Sequence, residues 1–305
     1  MGEKTGIILV NKKRGMTSHD VVDSIRKILH QRKVGHMGTL DPQAEGLLIL
    51  GLGKATRLFP YIVRGNKLYT GRIRLGVETD TYDIDGKVIE ERDISGITEE
   101  KIKEVAKEFL GRINQMPPPF SAKKIKGRRM YELARKGEKV KAKPVEVEIH
   151  FFSILSYEPP IVNFEMKCSA GTYVRSIAHD LGQKLGVGGT LEYLKRLKSG
   201  EFSIEDAHTL EEIKEAARKG EIDELIIPLN KVLSELPIVY LREQGVQRAK
   251  HGNFIPLKMV GGKEGGKRND FFRLMDYRSN FIGIGKPVKF EGELGIKPVI
   301  VINGE

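Results

Sequence analysis

The 305-residue chain carries 52 Lys and Arg against 41 Asp and Glu, a net charge of +11, and such an excess points to a polyanionic partner, nucleic acid first among them. A hydrophobic content of 39 % with 34 glycines excludes disorder and collagen. The single cysteine, Cys168, excludes an internal disulfide and a cysteine-based zinc site and reads as a small buried filler. The first apolar run, residues 6–10, is too short for a signal-peptide core, and no run approaches a membrane span. The expected location is the cytoplasm, with no membrane partner.

Residues 6–10 read as a strand, after which Thr17 or Ser18 caps a helix with Val21, Val22, Ile25, Ile28 and Leu29 on its apolar face. Residues 33–45 lack an apolar period and read as a polar loop; the run 47–50 behind them reads as a buried strand. Alternation predicts a strand over 68–75, and the Asp85-Gly86 turn sends 87–91 back as its partner. Thr98 caps a helix presenting Ile102, Val105, Ala106, Phe109 and Leu110, which Gly111 stops. The proline-rich 116–120 is rigid extended chain. Alternation at Val145, Val147, Ile149 and Phe151, and again at Val162, Phe164, Met166 and Cys168, predicts two strands with one buried face. A helix over 174–185 ends at Gly186, and the chain reads helical from Leu210 to about Leu233. Eleven of the 34 glycines fall in 236–305 between short apolar runs, which predicts a small β domain. Strands and helices mixed without regular alternation give an α+β fold class.

The charge is concentrated. Residues 123–143 hold ten Lys and Arg against Glu132 and Glu138, and residues 236–305 hold twelve against seven acids, so the rest of the chain is nearly neutral. One basic run alone reads first as a solvated face. Two on a neutral body suit phosphate binding, with Lys123, Lys124, Arg128 and Arg129 as candidates and Phe120 and Tyr131 placed either to stack on bases or to pack.

The most informative segment is Gly35-His36-Met37-Gly38-Thr39-Leu40-Asp41-Pro42-Gln43-Ala44-Glu45-Gly46. Pro42 pushes Asp41 away from helix, so its carboxylate is presented on a shaped loop; taken alone, an Asp-Pro pair reads first as a turn. Written G-H-x-G-T-L-D-P-x-A-x-G, the loop closely resembles the catalytic signature of the TruB family of pseudouridine synthases. Other segments resemble the family's motifs in order. They are Val10-Asn11-Lys12 with Gly15-Met16-Thr17-Ser18; Leu75-Gly76 with Thr79-Asp80-Thr81, Asp83 and Gly86; Gln115-Met116-Pro117-Pro118 with Ser121-Ala122 and Lys124; and Cys168-Ser169-Ala170-Gly171-Thr172-Tyr173-Val174-Arg175-Ser176. The likeness covers roughly residues 8–200, with a weaker match of the tail to a PUA RNA-binding domain. Lys13 departs from the proline usual at that place.

The resemblance implies a pseudouridine-synthase catalytic domain over 1–234, with a mixed, mainly antiparallel sheet and a basic insertion at about 112–143, followed by a small PUA-like β-barrel over 235–305. It implies a stand-alone, monomeric isomerase that converts uridine 55 in the T-loop of tRNA to pseudouridine without metal, cofactor or obligate protein partner. In that reading Asp41 is the nucleophile, attacking either C6 of the base or C1′ of the sugar. Arg175 holds it ionised and oriented through a bidentate contact. Tyr69 stacks beneath the uracil and takes or relays a proton, Tyr173 and Leu194 line the pocket, His36 meets the RNA where the flipped base leaves, and Lys12 binds substrate. Two rivals share the charge pattern: a PUA-tailed tRNA chaperone without chemistry, and a guide-RNA-dependent synthase of the box H/ACA type, which by resemblance lacks the long basic flap.

Overall fold

Gly6–Lys12 and Glu45–Leu52 carry unbroken buried apolar runs and pair antiparallel from Gly6↔Leu52 to Lys12↔Gly46. Runs of this kind mark strands covered on both faces. The computed structural model, which describes residues 3–62, 65–120, 143–266 and 270–302 and the backbone of 124–125 and 128–129, shows what covers them. The two strands end a nine-stranded sheet ordered Gly6–Lys12, Glu45–Leu52, Gly189–Ser199, Lys67–Leu75, Ile161–Cys168, Val145–Glu158, Gly111–Gln115, with Val34–Met37 and Phe202–Ser203 off this path. Its pairings are antiparallel except the short parallel contact of Lys195 and Arg196 with Glu45 and Gly46.

Side chains alternate across a sheet, and here the two faces belong to different cores. Ile8, Val10, Leu48 and Leu50 join Val21, Val22 and Ile25 of the helix Ser18–Leu29 and Ile177, Ala178 and Leu181 of the helix Val174–Leu185. Ile7, Leu9, Leu47 and Ile49 face the other way, into a cluster with Met275, Phe281, Ile284 and Ile302. Met275, Phe281 and Ile284 come from a second sheet, ordered Ile255–Pro256, Glu293–Val301, Phe281–Phe290, Phe272–Met275, Ile238–Leu241, Val260–Glu264, and Ile302 directly follows its strand Glu293–Val301. The strand-rich tail is as expected, but its closure into a barrel is not: the order has two ends, and among the described residues none of the pairings joins them. The end strand Ile255–Pro256 has two residues, one of them without a backbone N–H, and runs straight into the 3-10 turn Leu257–Met259.

Caps set the helix ends much as the sequence predicts. Thr17 and Asp20 cap each other's backbone N–H groups before Ser18–Leu29, Thr98 caps Glu99–Lys107, and Gly186 ends Val174–Leu185 at φ +81. Five expectations change. Val34–Met37, inside the expected polar loop, pairs with Glu45–Leu52; its four residues are too few to show a period, and Gly35 admits the Phe59 ring, 3.0 Å from where a Cβ would sit. Val88–Glu91 pairs with Val77–Thr79 and not with Lys67–Leu75, whose two edges are taken by Gly189–Ser199 and Ile161–Cys168. Gly189–Ser199 itself escaped the alternation rule because its register slips at Leu191/Tyr193 and Arg196/Lys198. Gly111 does not stop the helix, which ends at Lys107 with Glu108 as its cap and leaves Phe109 and Leu110 beyond it; at φ +84 Gly111 instead opens the edge strand Gly111–Gln115. Beyond Leu210 the helix ends at Lys219, where Gly220 takes the left-handed cap, and two 3-10 turns follow.

Cys168 is buried, its thiol pushed up to about 11 by burial, as suits a filler. Among the described residues no helix is long and apolar enough to cross a membrane. Where the parallel contact brings Glu45–Leu52 against Gly189–Ser199, Gly46 has φ +96, and a Cβ there would lie 2.4 Å from the Arg196 carbonyl oxygen. Gly46→Ala is expected to cost about 2–4 kcal/mol of folding stability, read as a lowered urea midpoint.

Candidate active site

Residues 38–44 connect the paired strands Val34–Met37 and Glu45–Leu52, so Asp41 stands at the tip of a hairpin. Buried polar groups tie that tip to the body. The Ser18 hydroxyl accepts from Leu40 N at 2.9 Å and lies 3.1 Å from Leu40 O. Lys12 Nζ donates to the carbonyls of Met16 at 2.7 Å, Lys13 at 3.1 Å and Pro42 at 3.3 Å, and Gly15 N donates to Pro42 O at 2.8 Å. Arg196 donates from Nη2 to Gly38 O at 3.0 Å and from Nε to Leu47 O at 2.8 Å. Lys12 and Arg196 are each 1 % exposed, and a buried cation must find such acceptors. Burial pushes the Lys12 ammonium down to about 8, against the pull of Asp41 and Glu45. The ammonium faces the loop's main chain.

Arg175 stands in the first turn of Val174–Leu185 with its side chain 7 % exposed, against 43 % for Asp41. Its Nε lies 2.9 Å from Asp41 Oδ2, an ion pair along which the N–H is not aimed. Nη1 donates to Thr81 O at 3.1 Å and Asp83 Oδ2 at 3.2 Å, and Nη2 to Phe120 O at 3.0 Å. The expected bidentate grip on Asp41 is therefore replaced: both terminal nitrogens are occupied elsewhere, and one guanidinium joins two carboxylates and two carbonyls. The Thr81 hydroxyl donates to Asp83 Oδ1 at 2.7 Å and fixes that carboxylate in turn. Buried Gln115 exchanges two hydrogen bonds with the Tyr173 main chain, and Ser176 Oγ donates to Met116 O at 2.8 Å. These bonds bind the proline-rich segment to the start of the Arg175 helix.

Asp41, Ala44, Asp83, Arg175, Leu191 and Leu194 line one narrow cleft. Tyr69 is buried behind it, opposite Arg196 in the sheet register. Burial raises its pKa, Asp41 adds to the rise and Arg196 opposes it, so the phenol is protonated at neutral pH. Tyr173 is half-buried at the helix start. His36 is half-buried on Val34–Met37, opposite Leu50, and is not among the cleft residues. The backbones of Lys124 and Arg128 to Arg129 form a two-stranded pairing; their side chains, Lys123 and Tyr131 lie outside the described residues.

Asp83 and Gln115 join the site without a role expected from the sequence, although both stand in the motifs above. The carboxylates and hydroxyls crowded into Thr79-Asp80-Thr81 and Asp83 around a turn were the available signal. Arg196 offered none, because Lys195-Arg196-Leu197-Lys198 reads as solvated surface.

Residues 26–174 match the model of the TruB family pseudouridylate synthase N-terminal domain, and residues 175–234 that of the tRNA pseudouridylate synthase B C-terminal domain. The tRNA pseudouridine synthase B of Clostridium tetani is 42 % identical over 284 residues, 93 % of this chain and 96 % of that protein. That of Aquifex aeolicus is 42 % identical over 285 residues, 92 % of this chain and 95 % of that one. Among solved structures, a chain of a Cbf5-Nop10-Gar1 complex matches with TM-score 0.76 and 28 % identity, over 97 % of this chain and 84 % of that chain. A chain of an H/ACA RNP bound to a substrate RNA containing 2′-deoxyuridine matches with TM-score 0.75 and 26 % identity, over 98 % and 86 %.

Proposed function

The chain belongs to the TruB family of pseudouridylate synthases, and from that membership we propose that it is a stand-alone tRNA pseudouridine synthase acting on uridine 55 of the T-loop. The observation that carries the reading is the half-exposed Asp41 carboxylate held 2.9 Å from an almost buried Arg175 at a cleft walled by Leu191 and Leu194. The isomerisation breaks the N1–C1′ bond, turns the uracil and forms C5–C1′, with the C5 proton lost and N1 protonated. It consumes no water and no redox equivalent, so one ionised nucleophile in a water-poor cleft suffices. Asp41 supplies it, at C6 or C1′, and the Arg175 guanidinium 2.9 Å away orients it.

Protonated Tyr69 suits a stacking and proton-relaying role more than that of a ready base. Lys12 serves by holding the Asp41 loop; Tyr173, Leu194 and His36 contact the extruded nucleotide and its surroundings, and Lys123, Lys124, Arg128 and Arg129 contact phosphates. We assign residues 1–234 to catalysis and 235–305 to a second RNA-binding unit, a division supported by the family match that ends at residue 234. The chain acts as a monomer in the cytoplasm without an obligate protein partner. The basic segment 123–143 and the named tRNA relatives favour a self-reading enzyme over a guided one.

Incubation with unmodified tRNA labelled as [5-³H]uridine tests the reading. Tritium release mapped to the T-loop uridine is expected; tight tRNA binding with no release would hand the protein to the chaperone reading.

A further inference from the structure

One helical turn beyond Arg175, His179 sits in a cluster that the chemistry above does not use. Its Nδ1 is 3.1 Å from Asp180 Oδ1 and its Nε2 3.1 Å from Glu78 Oε1. Gln183 Nε2 donates to Glu78 Oε2 at 2.6 Å, and Arg92 Nη2 lies 3.7 Å from the same oxygen. The imidazole also stacks on Tyr82, with ring centroids 3.8 Å apart and planes 20° from parallel. Both ring nitrogens face carboxylates, so the doubly donating imidazolium is the form that fits. Burial alone would lower its pKa; the hydrogen bonds to Asp180 and Glu78 outweigh burial and leave it raised.

Tyr82 is the residue between two groups that anchor Arg175. Thr81 O and Asp83 Oδ2 both accept from Arg175 Nη1. Tyr82 itself has φ +65, a conformation that bulky side chains rarely adopt, and such a backbone persists only where its surroundings over-determine it. Two restraints meet there. Leu191 N donates to Tyr82 O at 3.0 Å and Ile84 N to Leu191 O at 3.0 Å, which zips the turn to the cleft wall, and the His179 ring pins the Tyr82 side chain to the Arg175 helix.

We propose that His179 is a positioning residue for the isomerisation: by clamping Tyr82 it fixes the 81–83 turn, and the turn fixes the angle at which Arg175 meets Asp41. His179 lies on the same helix as Arg175, four residues on, so the clamp closes a loop of contacts from helix to turn and back to helix. The inference rests on the isomerase reading of the site.

The test is steady-state tritium release with His179→Ala, Tyr82→Asn and the double variant, each checked for folding by thermal unfolding. Asn tolerates the left-handed backbone at 82, so Tyr82→Asn removes the ring and spares the turn's conformation. Each single variant is expected to lose about tenfold in kcat with KM for tRNA unchanged, and the double variant to lose no more than either, because the two side chains act as one clamp. A kcat within about twofold of wild type in both single variants, a change confined to KM, or losses that multiply in the double variant would overturn the proposal. Should His179→Ala fail to fold, His179→Gln takes its place under the same criteria. No release by the unsubstituted chain would sink the isomerase reading instead; release unaffected by these substitutions sinks the clamp alone.

Discussion

Asp41→Asn is expected to bind unmodified tRNA with near wild-type affinity and to release no detectable tritium, a loss of at least about 10⁴-fold in kcat. The amide keeps the shape of the carboxylate and removes its nucleophilicity. Affinity survives because the groups that shape the 38–44 loop do not use the Asp41 side chain. Lys12 and Gly15 hold the Pro42 carbonyl, Ser18 holds the Leu40 main chain and Arg196 holds the Gly38 carbonyl. Arg175 keeps Asp83, Thr81 O and Phe120 O when the charge at 41 is removed. The loop therefore stays in place around an inert tip. Filter binding and tritium release on the same tRNA check both halves: lost affinity would make Asp41 a structural residue, and retained turnover would move the nucleophile elsewhere.

The division between what the sequence made legible and what it did not follows the range of the interactions. Local signals worked where the cause is local. Thr17, Thr98 and Gly186 cap helices within a few residues of themselves, and the runs of Gly6–Lys12 and Glu45–Leu52 report two-sided burial directly. Asp41 was legible because Pro42 and the glycines around it constrain one short loop. Arg196 was hidden because its burial depends on carbonyls of residues 38 and 47, more than 140 positions away in the chain, and nothing in Lys195-Arg196-Leu197-Lys198 foretells them. The strand that carries it was hidden for a related reason, since each register slip flips the side-chain pattern and erases the period of two. Asp83 lay between these extremes: its turn was visible, but its use as the second anion of Arg175 was settled only when the helix Val174–Leu185 docked.

Arg175→Lys is expected to keep the charge and lose the catalyst, with kcat down by about 10²–10³-fold and folding stability lower by about 1–3 kcal/mol. One guanidinium meets Asp41, Asp83, Thr81 O and Phe120 O through three nitrogens set in a rigid plane. An ammonium on a flexible stem is a point charge with three donors clustered at one atom, and it cannot span four acceptors arrayed around a plane. Whichever carboxylate it chooses, the other faces like charge with less compensation, and buried carbonyls lose their donor. If it settles on Asp83, which is 14 % exposed against 43 % for Asp41, the nucleophile is left to swing. That choice is favoured because desolvated charge gains more from a partner than solvated charge does. Single-turnover tritium release at saturating enzyme separates this from weakened binding, and a wild-type rate would remove the orienting role of Arg175. Asp83→Asn sharpens the comparison, since it spares the guanidinium plane, removes the competing anion and keeps one of the two side-chain oxygens that accept from Arg175 and Thr81. If orientation by the fork is what matters, Asp83→Asn falls far less than Arg175→Lys; if charge balance alone matters, the lysine variant is the better enzyme of the two.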